Sequence, residues 1–161
     1  MTHRQTLSKT ERLKSYKRIR ILFAQGQKFK VFPLVVYFLL RDENVKEVEA
    51  VNEGGEKFRE VEGGLERLGK VEGVLQMGVS VGKRHFKRAV DRNLLKRRIR
   101  EAYRKQKLEL KETLMASGIS MDVFFVYSNA RISDYAEIEL AMKQGLTVLL
   151  EKVKKQTSRT E

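Results

Sequence analysis

The chain has 161 residues, enough for one domain with a real core, and its 34 Lys and Arg against 21 Asp and Glu leave a formal charge of +13. That balance favours nucleic acid or an anionic surface as partner over an acidic small molecule. The absence of cysteine removes disulfides, thiolate metal sites and cysteine nucleophiles together.

No apolar run follows Met1, and the longest one, Val31 to Leu40, contains Pro33 and is too short to span a bilayer. A cytoplasmic protein without membrane contact is expected. Ser8 and Thr10 are helix-start residues, and Leu13, Tyr16, Ile19, Leu22 and Phe23 recur at three- and four-residue spacing until Gly26, predicting a first helix over 10–25. Lys14, Lys17, Arg18 and Arg20 would form its basic outer face. Phe29 to Arg41 is rich in β-branched and aromatic residues and reads as one strand, with Pro33 near its start where a missing N–H does least harm. Two uses of its faces stay open. Both are covered by packing, or Phe29 and Tyr37 lie on an open face as stacking platforms for unpaired bases.

Residues 42–73 hold six of the eleven glycines and ten acids against five bases, so the rest of the chain carries +18. The pairs Gly54-Gly55 and Gly63-Gly64 are expected to break regular elements there, leaving a mobile acidic section with at most strand extensions at its ends. Such a section repels a polyanion and should project away from any surface that binds one. Val74 to Lys83 then alternates, Leu75, Met77, Val79 and Val81 facing one way and Gln76, Gly78, Ser80 and Gly82 the other, as a half-buried strand does. The small second face would leave room for a ligand beside Tyr37.

From Lys83 to Lys107 the chain is dominated by Lys and Arg, with Asp91 and Glu101 the two acids. On a helix Leu94, Leu95, Ile99 and Ala102 share one arc, while Arg92, Asn93, Lys96, Arg97, Arg100 and Arg104 share another. Arg88, Arg92, Lys96, Arg100 and Arg104 follow an i, i+4 ridge, a spacing at which like charges repel. A solvated face is the plain alternative, but a helix that keeps such a ridge fits a polyanion better, and the Arg fork suits phosphate.

The order Ala89-Val90-Asp91-Arg92-Asn93-Leu94-Leu95-Lys96-Arg97-Arg98-Ile99-Arg100-Glu101-Ala102-Tyr103-Arg104 resembles the signature helix of bacterial ribonuclease P proteins. There an Arg-Asn-Arg core precedes Lys-Arg, two residues, then Arg-Glu-Ala-aromatic. This chain has Leu94 in place of the second Arg, so a contact made by that Arg would be absent or taken by a neighbour such as Arg98. The resemblance covers roughly 9–41 and 74–150. It marks 42–73 as an insertion, because the first two strands of the family are joined by a shorter turn.

The helix is expected to continue towards Leu114 and to end at Ser117-Gly118. Met121 to Ser128 reads as a further strand, Ser133 as the cap of a last helix, and 152–161 as a frayed polar tail. The order αβββαβα, if a short third strand is allowed near the inserted section, makes an α/β (α+β) two-layer sandwich with one mixed sheet of about four strands in a single domain over 1–161. The resemblance implies a left-handed βαβ crossover, which patterning alone does not reveal.

Phosphodiester hydrolysis by protein groups needs a metal cluster, paired carboxylates or a histidine acid and base. His3 and His85 sit in a terminus and among cations, Asp91 and Asp122 stand alone, and the acids of 42–73 lack ligand spacing, so no catalytic residue and no tightly held metal are expected. In the family that the chain resembles, a large RNA performs magnesium-dependent cleavage, with Mg2+ held mainly by that RNA. The resemblance implies binding of the catalytic RNA through Arg92, Asn93, Lys96, Arg97, Arg100 and Arg104, with Arg88, Lys83 and Arg84 beside them. It also implies a cleft for the single-stranded 5′ leader of precursor tRNA, lined by Ile19, Phe23, Phe29 and Tyr37 and bordered by Lys96 and Arg100. No protein partner is required. A ribosomal or chaperone-type RNA binder explains charge and size equally well but not the residue order from Arg92 to Arg104.

Overall fold

The computed structural model describes residues 7–42, 50–51, 56–61, 64–70 and 74–160, with side-chain surroundings for 7–41 and 74–159. A 3-10 turn at Lys9–Glu11 is followed by α1 (Tyr16–Gln25), β1 (Gln27–Val31), β2 (Leu34–Asp42), β3 (Ala50–Val51), β4 (Glu56–Val61), β5 (Gly64–Lys70), β6 (Leu75–Val81), α2 (Ala89–Gln106), α3 (Leu108–Ser117), β7 (Ile119–Tyr127) and α4 (Tyr135–Thr160). Strands β1, β2, β7 and β6, in that spatial order, form one mixed sheet. Its strands pair antiparallel except β6 and β7, which run parallel across the α2–α3 connection. The expected α/β class with four strands and packed helices is the one observed.

The single strand expected over 29–41 is instead a hairpin. The chain reverses at Phe32 and Pro33, whose peptide bond is cis, and Val31 pairs with Leu34 while Phe29 pairs with Val36. Proline cannot donate to a ladder and is well tolerated in a tight turn, and the reversal falls where Gln27–Val31, with its two lysines, gives way to the apolar run that starts at Leu34. The third strand that joins the main sheet before the basic helix therefore comes from this split and not from the described residues of 43–73.

Within 42–73 the described residues form a second, three-stranded antiparallel sheet in the order β3-β4-β5. The glycine pairs do not exclude regular structure there. Val61 pairs with Gly64, so Gly64 stands at the end of the β4–β5 ladder, a position that favours glycine as much as a loop does. The expectations of mobility and of a direction of projection fall largely on residues outside those described.

Helix α1 begins six residues later than expected. Ser15 caps it by accepting the Arg18 amide, and Gly26 closes it, with a Cβ there meeting the Phe38 carbonyl at 2.8 Å. Ser8 serves the 3-10 turn instead, in a capping box with Glu11. Asp134, not Ser133, caps α4 by accepting the Glu137 amide at 2.9 Å, while Ser133 is buried against the Tyr127 hydroxyl. Helix α4 continues through the expected tail to Thr160. The basic helix breaks at Lys107 into α2 and α3, and α3 ends at Gly118, whose φ of 68° suits a residue without a Cβ.

One sheet face is covered by α2, α3 and α4 and carries the main core, including Val36, Leu95, Ile99, Tyr103, Phe125 and Met142. The opposite face is covered by α1, through a smaller cluster of Leu13, Leu22 and Phe124 with Ile19, Tyr37, Leu39 and Val126 against it. Asp122 lies on this second face with Arg18 and Arg41. It does not stand alone, and Arg18 is not part of a basic outer face: its guanidinium also donates to Gln76 at 2.7 Å. A sheet with one helix over its second face keeps part of that face open.

Candidate nucleic-acid interface

The segment before α1 lies along β6, an edge strand of the main sheet. The Leu13 amide donates to the Met77 carbonyl at 2.8 Å, Arg12 bridges to Met77, and the Gln76 side-chain Nε2 donates to the Thr10 carbonyl at 2.9 Å. The segment thus occupies part of an edge that would otherwise present unpaired groups. Buried Glu11 pins it from the other side. One carboxylate oxygen accepts from Lys107 Nζ at 2.6 Å and Lys111 Nζ at 3.2 Å, and the other accepts the Ser8 amide at 2.8 Å. Burial alone would push the Glu11 carboxyl up, but the hydrogen bonds from Lys107, Ser8 and Lys111 outweigh it and hold the pKa at about 2.

Between this pinned segment and α2 runs a groove of about 470 Å³, lined by Leu7, Arg12, Asn93, Arg97, Arg100, Glu101 and Arg104. Asn93, Arg97, Arg100 and Arg104 follow i, i+4, i+7, i+11, one stripe of α2. Opposite it Leu95, Ile99, Ala102 and Tyr103 are buried in the core, which fixes the rotation of the helix. The Arg104 fork grips Glu101 at 2.6 and 2.9 Å and holds that carboxyl below its usual range, so the acid in the groove is already neutralised. Among the described residues no hydrogen bond or ion pair occupies Arg97 or Arg100.

A second groove, of about 350 Å³, lies on the open part of the sheet and is lined by Arg12, Leu13, Lys14, Ile19, Met77, Gly78, Val79, Arg100 and Phe124. Gly78 makes it possible. Gly78 pairs with Phe124 across the parallel ladder, and a Cβ at 78 would meet that ring at 2.5 Å. The Phe23 ring packs 5.1 Å from Phe124 and 4.5 Å from Tyr37, and is 42% exposed. Aromatic rings therefore wall this face and cations rim it. Arg12 and Arg100 line both grooves, so the two meet there.

The structure sorts the expected site residues. Asn93, Arg97, Arg100 and Arg104 converge on the first groove, and Ile19, Phe23 and Tyr37 belong to the second face. Phe29 does not join them. It packs against the main core, 6.0 Å from Phe38 and within 4.0 Å of a Cβ at Gly145, because the hairpin sets it opposite Val36 and so on the other side of the sheet from Tyr37. Arg92 donates to the carbonyls of Phe86 at 2.7 Å and Lys87 at 2.8 Å, holding the loop before α2. Lys96 is half-buried one turn before Arg100 and lines neither groove, and Lys83, Arg84 and Arg88 are exposed on the approach to α2. Arg98 cannot stand in for Leu94 at the groove, since it donates to the Ser133 carbonyl at 2.7 Å, at the start of α4.

Sequence reasoning missed Arg12, Lys14 and Phe124. Nothing in the sequence singles out Arg12 until its segment is seen to lie along β6, or Phe124 until Gly78 is seen against its ring. Among the described residues no group of three or more His, Asp or Glu could hold a metal ion, and no helix is long and apolar enough to cross a membrane.

Residues 7–150 match the family model described as Ribonuclease P. The chain is 31% identical over 140 residues to the ribonuclease P protein components of two strains of Porphyromonas gingivalis, an alignment covering 87% of this chain and 83% of each relative. It superposes on the Staphylococcus aureus RNase P protein with a TM-score of 0.53 at 18% identity, covering 86% of this chain and 94% of that one, a likeness of fold.

Proposed function

The chain belongs to the ribonuclease P protein family, and from that premise we propose that its two grooves divide the work between two RNAs: the α2 groove grips the catalytic RNA and the aromatic-walled groove receives the leader of precursor tRNA. As a ribonuclease P protein component it is a subunit of an endoribonuclease holoenzyme of tRNA processing and partners the ribonuclease P RNA. The observation that carries the division is the meeting of the grooves at Arg12 and Arg100. An RNA held by Asn93, Arg97 and Arg104 would lie next to a single strand seated over Ile19 and Phe124. Phosphate neutralisation along the rim and stacking on the exposed edge of Phe23 are the two sources of affinity.

Cleavage itself is assigned to the RNA. The groove linings hold cations, with Glu101 their single carboxylate and that one gripped by Arg104, so they do not fit a magnesium ion. We place the ions in the RNA and the work of the complex in the cytoplasm. The protein contributes position, holding leader and catalytic RNA in one register.

The test compares the affinity of the reconstituted holoenzyme for precursor and mature tRNA. The intact complex should prefer the precursor, and Phe23→Ala should reduce that preference by about fivefold or more, the scale of losing one base–aromatic stack, while leaving affinity for the catalytic RNA unchanged. Equal affinity of the intact complex for both tRNAs would remove the leader from the second groove.

A further inference from the structure

We propose that the outer face of α1 is a second single-strand site, in which Tyr16 is a stacking platform for an unpaired base of RNA that has left the aromatic-walled groove; this rests on the leader reading above. Tyr16 opens α1 and is 74% exposed, so its ring is not used by the core and stands in solvent. Arg20, one turn later, holds its guanidinium 5.8 Å from the ring centroid, a cation over a π face. With a cation at one face and so high an exposure, the other face of the ring is open to a base.

The surroundings fit nucleic acid better than lipid or an apolar partner. Tyr16, Lys17, Arg20, Ile21, Ala24 and Gln25 line a shallow hollow of about 340 Å³, with two cations and no acid among them. Tyr16, Ile21 and Ala24 are too few and too small to anchor a helix in a bilayer. An aromatic flanked by Lys and Arg is the arrangement by which single strands are held without sequence preference. The site is also continuous with the groove. Ile19, a groove residue, lies three positions after Tyr16 and therefore next to it on the helix, and Lys14 precedes the Ser15 cap on the groove side. A strand passing out over Lys14 and Ile19 meets Tyr16 next.

The test measures holoenzyme affinity for a series of precursor tRNAs whose leaders lengthen one nucleotide at a time, with mature tRNA as reference. The expected result is two rises in affinity, one as the groove fills and a later one as the leader reaches α1. Tyr16→Ala should erase the later rise, a loss of about fivefold or more for long leaders, with short-leader affinity unchanged, and Tyr16→Phe should retain it. A 4-thiouridine in the outer leader should cross-link to the α1 peptide carrying residue 16. If the later rise is missing in the wild-type complex, or survives Tyr16→Ala intact, the site on α1 is overturned while the groove assignment stands. If mature and precursor tRNA bind equally at every leader length, the leader reading itself fails and this one with it.

Discussion

Replacing Arg97 and Arg100 together by alanine should lower the affinity of the chain for ribonuclease P RNA by about thirtyfold near physiological salt. Both side chains are exposed, line the α2 groove and have no hydrogen-bonding or ion-pair partner among the described residues, so each is available to phosphate. A charge-assisted contact at an exposed surface is worth about 1 kcal/mol net, and two such contacts correspond to that factor. Each lost phosphate contact also removes about 0.7 to 0.9 from the slope of log affinity against log salt, so the double variant should show a slope shallower by about 1.4 to 1.8. The fold should not suffer. Alanine has the higher helix propensity, and the substitutions relieve repulsion between cations along α2. Lys154→Ala, on the exposed surface of α4, is the matched control. Filter-binding or anisotropy titrations at several salt concentrations check the result; equal small effects from both sites would unseat the groove.

Glu11→Gln should destabilise the protein by about 3 kcal/mol at neutral pH. The neutral amide removes the carboxylate charge that faces buried Lys107 and its neighbour Lys111, and removing one partner of a buried pair costs about 3–5 kcal/mol, towards the low end here because the amide oxygen can still accept. The pH dependence makes the cause visible. A carboxyl held down from 4.5 to about 2 stabilises the fold fully above its ordinary value and loses that contribution as pH falls through the folded value. The gap between wild type and Glu11→Gln in urea unfolding should therefore be full at pH 6 and should close between pH 4.5 and about 2. A gap independent of pH would assign the loss to packing.

How much of this was legible in the sequence depends on the range over which each signal acts. The rotation of α2 is a local property: Leu95, Ile99 and Ala102 define its buried side, so residue spacing alone reveals the cationic stripe, though the ridge through Arg92 and Lys96 lies one row from the stripe that lines the groove. Tyr37 and Phe23 could be placed together only through the family resemblance, and the same reading misplaced Phe29. A two-residue reversal at Phe32-Pro33 flips everything before it to the opposite face, and reading Phe29 to Arg41 as one strand carries Phe29 to the wrong side. Asp122 looked like an isolated acid because its partners, Arg18 and Arg41, lie far along the chain, and the partners of Glu11, Lys107 and Lys111, are as distant. A glycine such as Gly64 suits a hairpin and a loop equally, and only the register of β4 against β5 distinguishes them.

The most direct measurement is cleavage of precursor tRNA by a bacterial ribonuclease P RNA at a magnesium concentration too low for the RNA alone, with and without this chain. Addition of the chain should restore cleavage at the mature 5′ end, and the Arg97→Ala/Arg100→Ala variant should restore far less. No stimulation by the wild-type chain, together with equal affinity for unrelated structured RNA, would contradict its assignment as the working protein subunit and leave a general RNA binder.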